Sequence, residues 1–313
     1  MEQGLLTIIS PLRHLTIILV CSPALWGVIG KTKAFFTGRQ GPPLFQPYYD
    51  IAKLLRKGCV YSTTTTWIFR AAPMITLAAV LVSGLLMPLG GGKAPLPFWG
   101  DVILFAYLFG LARFFIILAA LDTGSSFEGM GASREAVFSC LSEVALFLNF
   151  TVLALISKSL SLSGMLAGDI SLPWHVMGPA LTLVVISFFL ILLCENSRIP
   201  VDDPATHLEL TMIHEVMVLD HSGVDFAYIL YGGAVKLFVL GSFLISILIP
   251  FKTQNIFLDA GIYFSGMTGL AVAIGVIESV MARLRLNRVS ILLISAVILA
   301  VFALIITLVR GGH

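Results

Sequence analysis

Charge is scarce in this chain: Lys, Arg, Asp and Glu make up 12% of its 313 residues, while 58% are hydrophobic. Soluble domains carry about 25% charged residues, so a water-exposed globule is excluded. Cysteine is scarcer still. The four present, Cys21, Cys59, Cys140 and Cys194, form no C-x-x-C pair, and they signal neither a zinc site nor an iron–sulfur cluster nor a disulfide framework. A net charge of +2 is too small to argue for nucleic acid. A nucleophile with a positioned base, a phosphate-cradling loop and a nucleotide fingerprint are likewise missing, which leaves hydrolysis and group transfer without machinery.

What the chain has is long apolar runs, and its mean hydropathy is +0.99. A helix needs about 20 apolar residues to cross the hydrocarbon core. Eight runs meet that length, near residues 5–30, 67–90, 100–121, 137–157, 174–195, 226–250, 257–282 and 290–309. The fold class expected is therefore all-α: a polytopic integral membrane protein forming one transmembrane domain over 1–313, with amphipathic loop helices. Lys31 and Lys33 follow the first run instead of preceding it, the reverse of a signal peptide, so that run reads as a mature helix.

The connections at 31–66, 122–136, 196–225 and 283–289 share one side of the membrane. They hold Lys31, Lys33, Arg39, Lys53, Arg56, Lys57, Arg134, Arg198, Arg283, Arg285 and Arg288, against Lys93, Lys158 and Lys252 opposite. The positive-inside rule makes the first set cytoplasmic and both termini external. Two of these loops read as partly helical. Tyr48 to Lys57 sets Ile51, Leu54 and Leu55 on an apolar stripe, and Asp203-Pro204 reads as an N-cap and first helical position opening Ala205 to Leu219. The chain shows no internal repeat of the kind that many ion-coupled transporters carry.

Ionisable residues inside a span are costly and mark function by default. Glu143 lies about two turns into its run, Lys236 at similar depth in the sixth, and both read as functional, with Lys236 a candidate partner for Glu143. Arg70 and Arg113 read as structural ion pairs or snorkelling residues, and Glu278 fits either description. The stretch from Glu195 to Glu215 concentrates acids and histidines. On the helix expected there, His207, Thr211 and His214 share one stripe, with Thr206 and Glu209 on another and Asp202 just before. Two polar stripes suit a segment buried in protein beside a hydrated path. With no H-x-x-x-H or E-x-x-H motif a metal site is not expected, and carboxylates whose pKa responds to burial suit proton conduction.

These same loops resemble the respiratory complex I subunit that holds the quinone channel, and its homologue in energy-converting [NiFe] hydrogenases, formate hydrogenlyase included. The residues that carry the resemblance are Gly38 to Lys57, Leu121-Asp-Thr-Gly-Ser-Ser-Phe127, Gly131-Ala-Ser-Arg-Glu135, Glu195 to Glu215, and Glu278 to Arg285. The hydrogenase branch is the closer in Leu121 to Ser125, Gly131 to Glu135 and the short first loop. The chain departs from formate hydrogenlyase members at Val201 to Pro204 and Thr206 to Glu209, which points to a sister clade. The resemblance implies a subunit of a proton-pumping oxidoreductase complex in the inner (cytoplasmic) membrane, without a redox centre of its own. It implies an acidic relay of Glu143, Glu195, Asp202, Glu209 and Glu215, extended by Lys236, with Arg134 and Arg198 as charge partners. Arg39, Gln46, Asp50 and Lys53 would form the platform that receives the peripheral arm or frames a quinone-like cavity. Hydrogenase-like peripheral subunits and an iron–sulfur subunit would supply [4Fe-4S] clusters and a [NiFe] site, beside antiporter-like membrane subunits. A quinone is a further candidate ligand.

Overall fold

The computed structural model describes residues 2–90, 92–166, 173–202, 212–250, 253 and 255–311. Within them the chain forms ten α-helices and one short 3-10 turn: α1 (Glu2–Phe36), α2 (Gln46–Leu55), α3 (Trp67–Leu86), α4 (Asp101–Asp122), α5 (Ser126–Ser157), α6 (Leu162–Leu166), α7 (Trp174–Glu195), the turn Glu215–Val218, α8 (Gly223–Leu248), α9 (Ile256–Val280) and α10 (Leu286–Gly311). Eight of the helices are long and apolar enough to cross a membrane, one for each hydrophobic run. The protein is thus an all-helical, multi-pass membrane protein.

Lipid offers no competing hydrogen bonds, so helices must satisfy their own backbone, and they associate by close packing. α8 shows this most fully. Of its 18 most apolar consecutive residues 72% are buried, because α1, α3, α7 and α9 surround it. Gly232 and Gly241 keep its sides thin: a Cβ at Gly241 would meet the Leu270 side chain at 3.0 Å. α4 packs on α3 and α5, and α10 on α5 and α7. Where these layers meet, Phe243 stacks on Phe188 at 4.6 Å and meets Phe150 edge-on at 5.3 Å.

Prolines open the backbone ladder, and side chains close it. Pro23 in α1 has no N–H to give the Leu19 carbonyl, and Tyr231 Oη of α8 donates to that oxygen instead at 2.8 Å. Tyr48 Oη of α2 donates to the next carbonyl, that of Val20. α2 is thereby fastened against α1 and α8, with Ile51 and Leu54 half-buried and Leu55 exposed.

Several boundaries differ from expectation. α5 begins at Ser126 rather than near 137, so most of the presumed loop 122–136 is helix continuous with the span. Hydropathy missed it because Glu128, Arg134 and Glu135 fall in those turns, yet the backbone there bonds as in any helix. α1 likewise runs on to Phe36, past Lys31 and Lys33. Of the helix expected over Ala205 to Leu219, residues 205–211 lie outside the described part, and within 212–219 the helical stretch is the 3-10 turn at Glu215–Val218. That turn presses on α5 where a Cβ at Gly131 would come within 2.3 Å of the Val216 side chain.

Candidate functional site

α4 buries an inner stripe of Phe105, Phe109, Ala112, Ile116 and Ala120, spaced three or four residues apart, and Arg113 adjoins it. Its guanidinium fork reaches three carboxylates. Nη1 donates to Glu143 Oε1 at 2.8 Å, Nη2 to Glu195 Oε1 at 2.7 Å, and Nε lies 3.7 Å from Glu135 Oε1. Glu135 and Glu143 come from α5, and Glu195 is the last residue of α7. Lys236 of α8 approaches the other Glu195 oxygen at 2.7 Å, and Ser142 Oγ donates to Oε1 at 2.7 Å. Two cations and three carboxylates from four helices thus share one node. An arginine stays charged at all working pH, so it holds this density of buried carboxylate together.

A second cluster stands nearby. Glu278 of α9 faces Lys33 Nζ at 3.0 Å and Arg198 Nη1 at 3.3 Å, and the Arg198 guanidinium lies 5.3 Å from the Trp26 ring centre. Arg113, Glu135, Glu195 and Lys236 of the first cluster and the whole of the second line one cavity of about 400 Å³, which also reaches Pro42, Gln46 and Asp50 of the first loop and His214, Glu215 and Met217 near the 3-10 turn. Burial lowers the His214 imidazole below its ordinary pKa, against the pull of Glu135.

The structure brings some of the expected relay together and places the rest elsewhere. Glu143 and Glu195 meet through Arg113, and Glu215 lines the same cavity. Lys236, expected beside Glu143, sits on Glu195 instead. Glu143 is also less enclosed than its depth suggested, with 43% of its side chain exposed on the flank of α5. Asp202 is held at 3.0 Å by Arg283 and accepts the Ile213 and His214 amides at 3.0 and 3.1 Å. It thereby pins the chain on both sides of 203–211. Glu209 and His207 lie outside the described residues. Arg134, expected as a charge partner of the relay, donates to the Met212 carbonyl at 2.8 Å, and Arg198, expected in the same role, pairs with Glu278, an acid outside that relay. Of the platform residues, Gln46 and Asp50 line the cavity, joined by a 2.8 Å hydrogen bond, and Arg39 and Lys53 are exposed.

The hub lay outside the expected relay. Arg113, read as a structural ion pair or snorkelling residue, does form ion pairs, and two of its partners, Glu143 and Glu195, are expected relay residues. The signal was present: a single arginine within an apolar run needs acids at its own depth, and Glu143 and Glu195 stood out as such acids. Glu135 figured only in a motif.

The family model described as NADH dehydrogenase matches residues 10–309. Formate hydrogenlyase subunit 4 of Escherichia coli (strain K12) is 29% identical over 288 residues, covering 90% of this chain and 92% of that protein. Hydrogenase-4 component C of the same strain is 32% identical over 245 residues, covering 78% and 76%. An NADH-quinone oxidoreductase subunit of Rickettsia prowazekii (strain Madrid E) is 29% identical over 216 residues, covering 69% and 60%. The two hydrogenase-type relatives therefore align over more of the chain than the complex I relative does. A chain in the structure of the membrane-bound sulfane sulfur reductase, an archaeal respiratory membrane complex, superposes with a TM-score of 0.80 over 95% of this chain and 99% of that one, at 20% identity. That similarity establishes a common fold. With nearly its whole length matched and eight membrane-crossing helices in place, this chain belongs to the NADH dehydrogenase family.

Proposed function

We infer that this chain is the proton-translocating and anchoring membrane subunit of a redox-driven complex of the membrane-bound hydrogenase or formate hydrogenlyase kind. It sits in the cytoplasmic membrane and connects a peripheral redox arm to the membrane arm through a relay of carboxylates. The observation that carries this reading is the Arg113 node, where Glu135, Glu143 and Glu195 share one guanidinium beside a charged cavity. Protons move between carboxylates whose charged forms are held in delicate balance, and a change of charge at one of them alters its neighbours.

The two ends of the relay support the same reading. Glu215, Gln46 and Asp50 line the cavity on the loop side, where a peripheral arm would dock. Glu143 opens on the flank of α5, with 43% of its side chain exposed. A carboxylate exposed at that depth costs kilocalories in lipid and fits an interface with a second membrane subunit of the antiporter-like kind. In this assignment the chain holds no redox centre. Peripheral partners carry the [4Fe-4S] clusters and the [NiFe] or equivalent site.

The test is Glu143→Gln in the intact complex. This change keeps volume and hydrogen bonding, and Glu135 and Glu195 still balance Arg113. Normal subunit content with protons translocated per electron reduced at least tenfold is expected. A wild-type ratio in a fully assembled complex carrying both Glu143→Gln and Glu215→Gln would refute the relay.

A second reading, a quinone site, draws on the cavity itself. Trp26, Phe226 and Ile229 give it an apolar wall opposite its charged residues, a combination that suits a ring with polar carbonyls. Photoaffinity labelling of the complex with an azido-quinone separates the two readings, since label on α1 or α8 is expected only for this one.

A further inference from the structure

Glu278 has no part in the relay as described, yet it is built like Glu195. Each carboxylate is flanked by one arginine and one lysine, on separate oxygens. Glu195 has Arg113 and Lys236, both at 2.7 Å. Glu278 has Arg198 at 3.3 Å and Lys33 at 3.0 Å. The cavity wall therefore carries two matched Arg–Glu–Lys triads. They differ in access to water. The Lys33 side chain is 29% exposed while that of Glu278 is fully buried, whereas Arg113 and Lys236 are 7% and 16% exposed. Lys33 lies in the last turn of α1, at the loop end of the bundle, so this triad reaches from solution into the cavity.

We propose that Lys33 and Glu278 form a proton-uptake port that loads the cavity from the loop side and feeds the Arg113 node, an assignment that rests on the relay reading above. In the uptake step the Lys33 Nζ–H bond breaks and an O–H bond forms on Glu278 Oε2. Solvent water reprotonates the neutral amine at its exposed face, and the hydroxide left behind is neutralised in the bulk, so the solution loses one proton. The neutral carboxyl no longer balances Arg198, whose charge cannot be discharged, and that guanidinium favours return of Glu278 to carboxylate. The proton then leaves into the cavity, which has room for on the order of ten water molecules. The chemistry also accounts for the residue types: arginine gives each triad a permanent charge, and lysine gives it a proton that can be released.

A structural ion cluster joining α1, α9 and the segment after α7 is the competing explanation, and Lys33→Arg separates the two. Arginine keeps the charge and the pairing with Glu278 but does not release a proton. The measurement uses inside-out membrane vesicles carrying the intact complex, with dithionite-reduced methyl viologen as electron donor. Viologen absorbance counts electrons and quenching of an acridine dye reports interior acidification. Lys33→Arg and Glu278→Gln are expected to keep subunit content and to lower protons per electron at least tenfold. A wild-type ratio in Lys33→Arg overturns the port, and this variant decides the matter even where Glu278→Gln fails to assemble. With Glu143→Gln in the same series, loss in that variant alone removes the port and leaves the relay. Wild-type ratios in all three, and in the complex carrying both Glu143→Gln and Glu215→Gln, remove both.

Discussion

Asp101 and Glu195 are buried carboxylates at opposite ends of the bundle, and their surroundings could hardly differ more. Asp101, fully buried in the first turn of α4, accepts the Leu162 amide at 2.6 Å, the Ser161 hydroxyl at 2.9 Å and the Phe98 amide at 3.4 Å. Its partners among the described residues are neutral donors that fasten the connection after α5. Glu195 lies between two cations, beside a cavity, one guanidinium away from two further carboxylates. Burial is common to both and does not distinguish them. The distinction lies in the neighbours: hydroxyls and amides hold Asp101 by neutral donors, whereas the guanidinium that Glu195 shares with Glu135 and Glu143 couples it to two further ionisable groups.

The strongest challenge to this contrast is Arg113→Leu. It would leave three carboxylates around an apolar side chain, a loss of about 3–5 kcal/mol typical of a broken buried pair. The complex is expected not to accumulate, as judged by native electrophoresis of membranes. Normal accumulation would mean that the node is not held by its arginine.

Asp101→Ala should cost somewhat less, about 2–4 kcal/mol for the stranded amide and hydroxyl donors. Its signature would be a melting temperature lowered by several degrees, with protons per electron unchanged in the complexes that survive. A lower ratio would erase the difference between the two carboxylates.

The smallest effect concerns His221, just before α8, which stacks on Phe69 at 4.0 Å. Burial pushes its pKa down from 6.5 to about 4. The folded chain keeps this imidazole neutral while the unfolded chain takes up a proton below pH 6.5, so stability is present above that pH and lost as pH falls toward 4. At pH 5 the loss is about 2 kcal/mol. His221→Phe keeps the stack and should flatten the dependence of melting temperature on pH between 7 and 5. An unchanged slope would assign the acid sensitivity to another group, with the cavity carboxylates the first to examine.

The spans were legible because every apolar run of sufficient length became a helix. Hydropathy failed where charge and helix coincide: Glu128, Arg134 and Glu135 hid eleven residues of α5 from a reading that treats charge as loop. Two of the node's three acids, Glu143 and Glu195, stood out in the sequence, and its pairings did not. Glu143 and Glu195 stand 52 residues apart in sequence, and only the meeting of α4, α5 and α7 shows that Arg113 joins them while Lys236 takes the far oxygen of Glu195. Glu278 fitted two descriptions because its partners, Lys33 and Arg198, lie on segments far from it in the chain.

Pro23 has a mechanical consequence. The carbonyl it releases is taken by Tyr231, and the adjacent one by Tyr48, so α2, the first span and the central span are riveted at neighbouring points on α1. A partner pressing on α2 would load the middle of α1 directly, and α1 carries Trp26 and Lys33 of the cavity wall on its next turns toward the loops. Force on α2 would thus arrive where the charges are, without passing through the connection between α1 and α2.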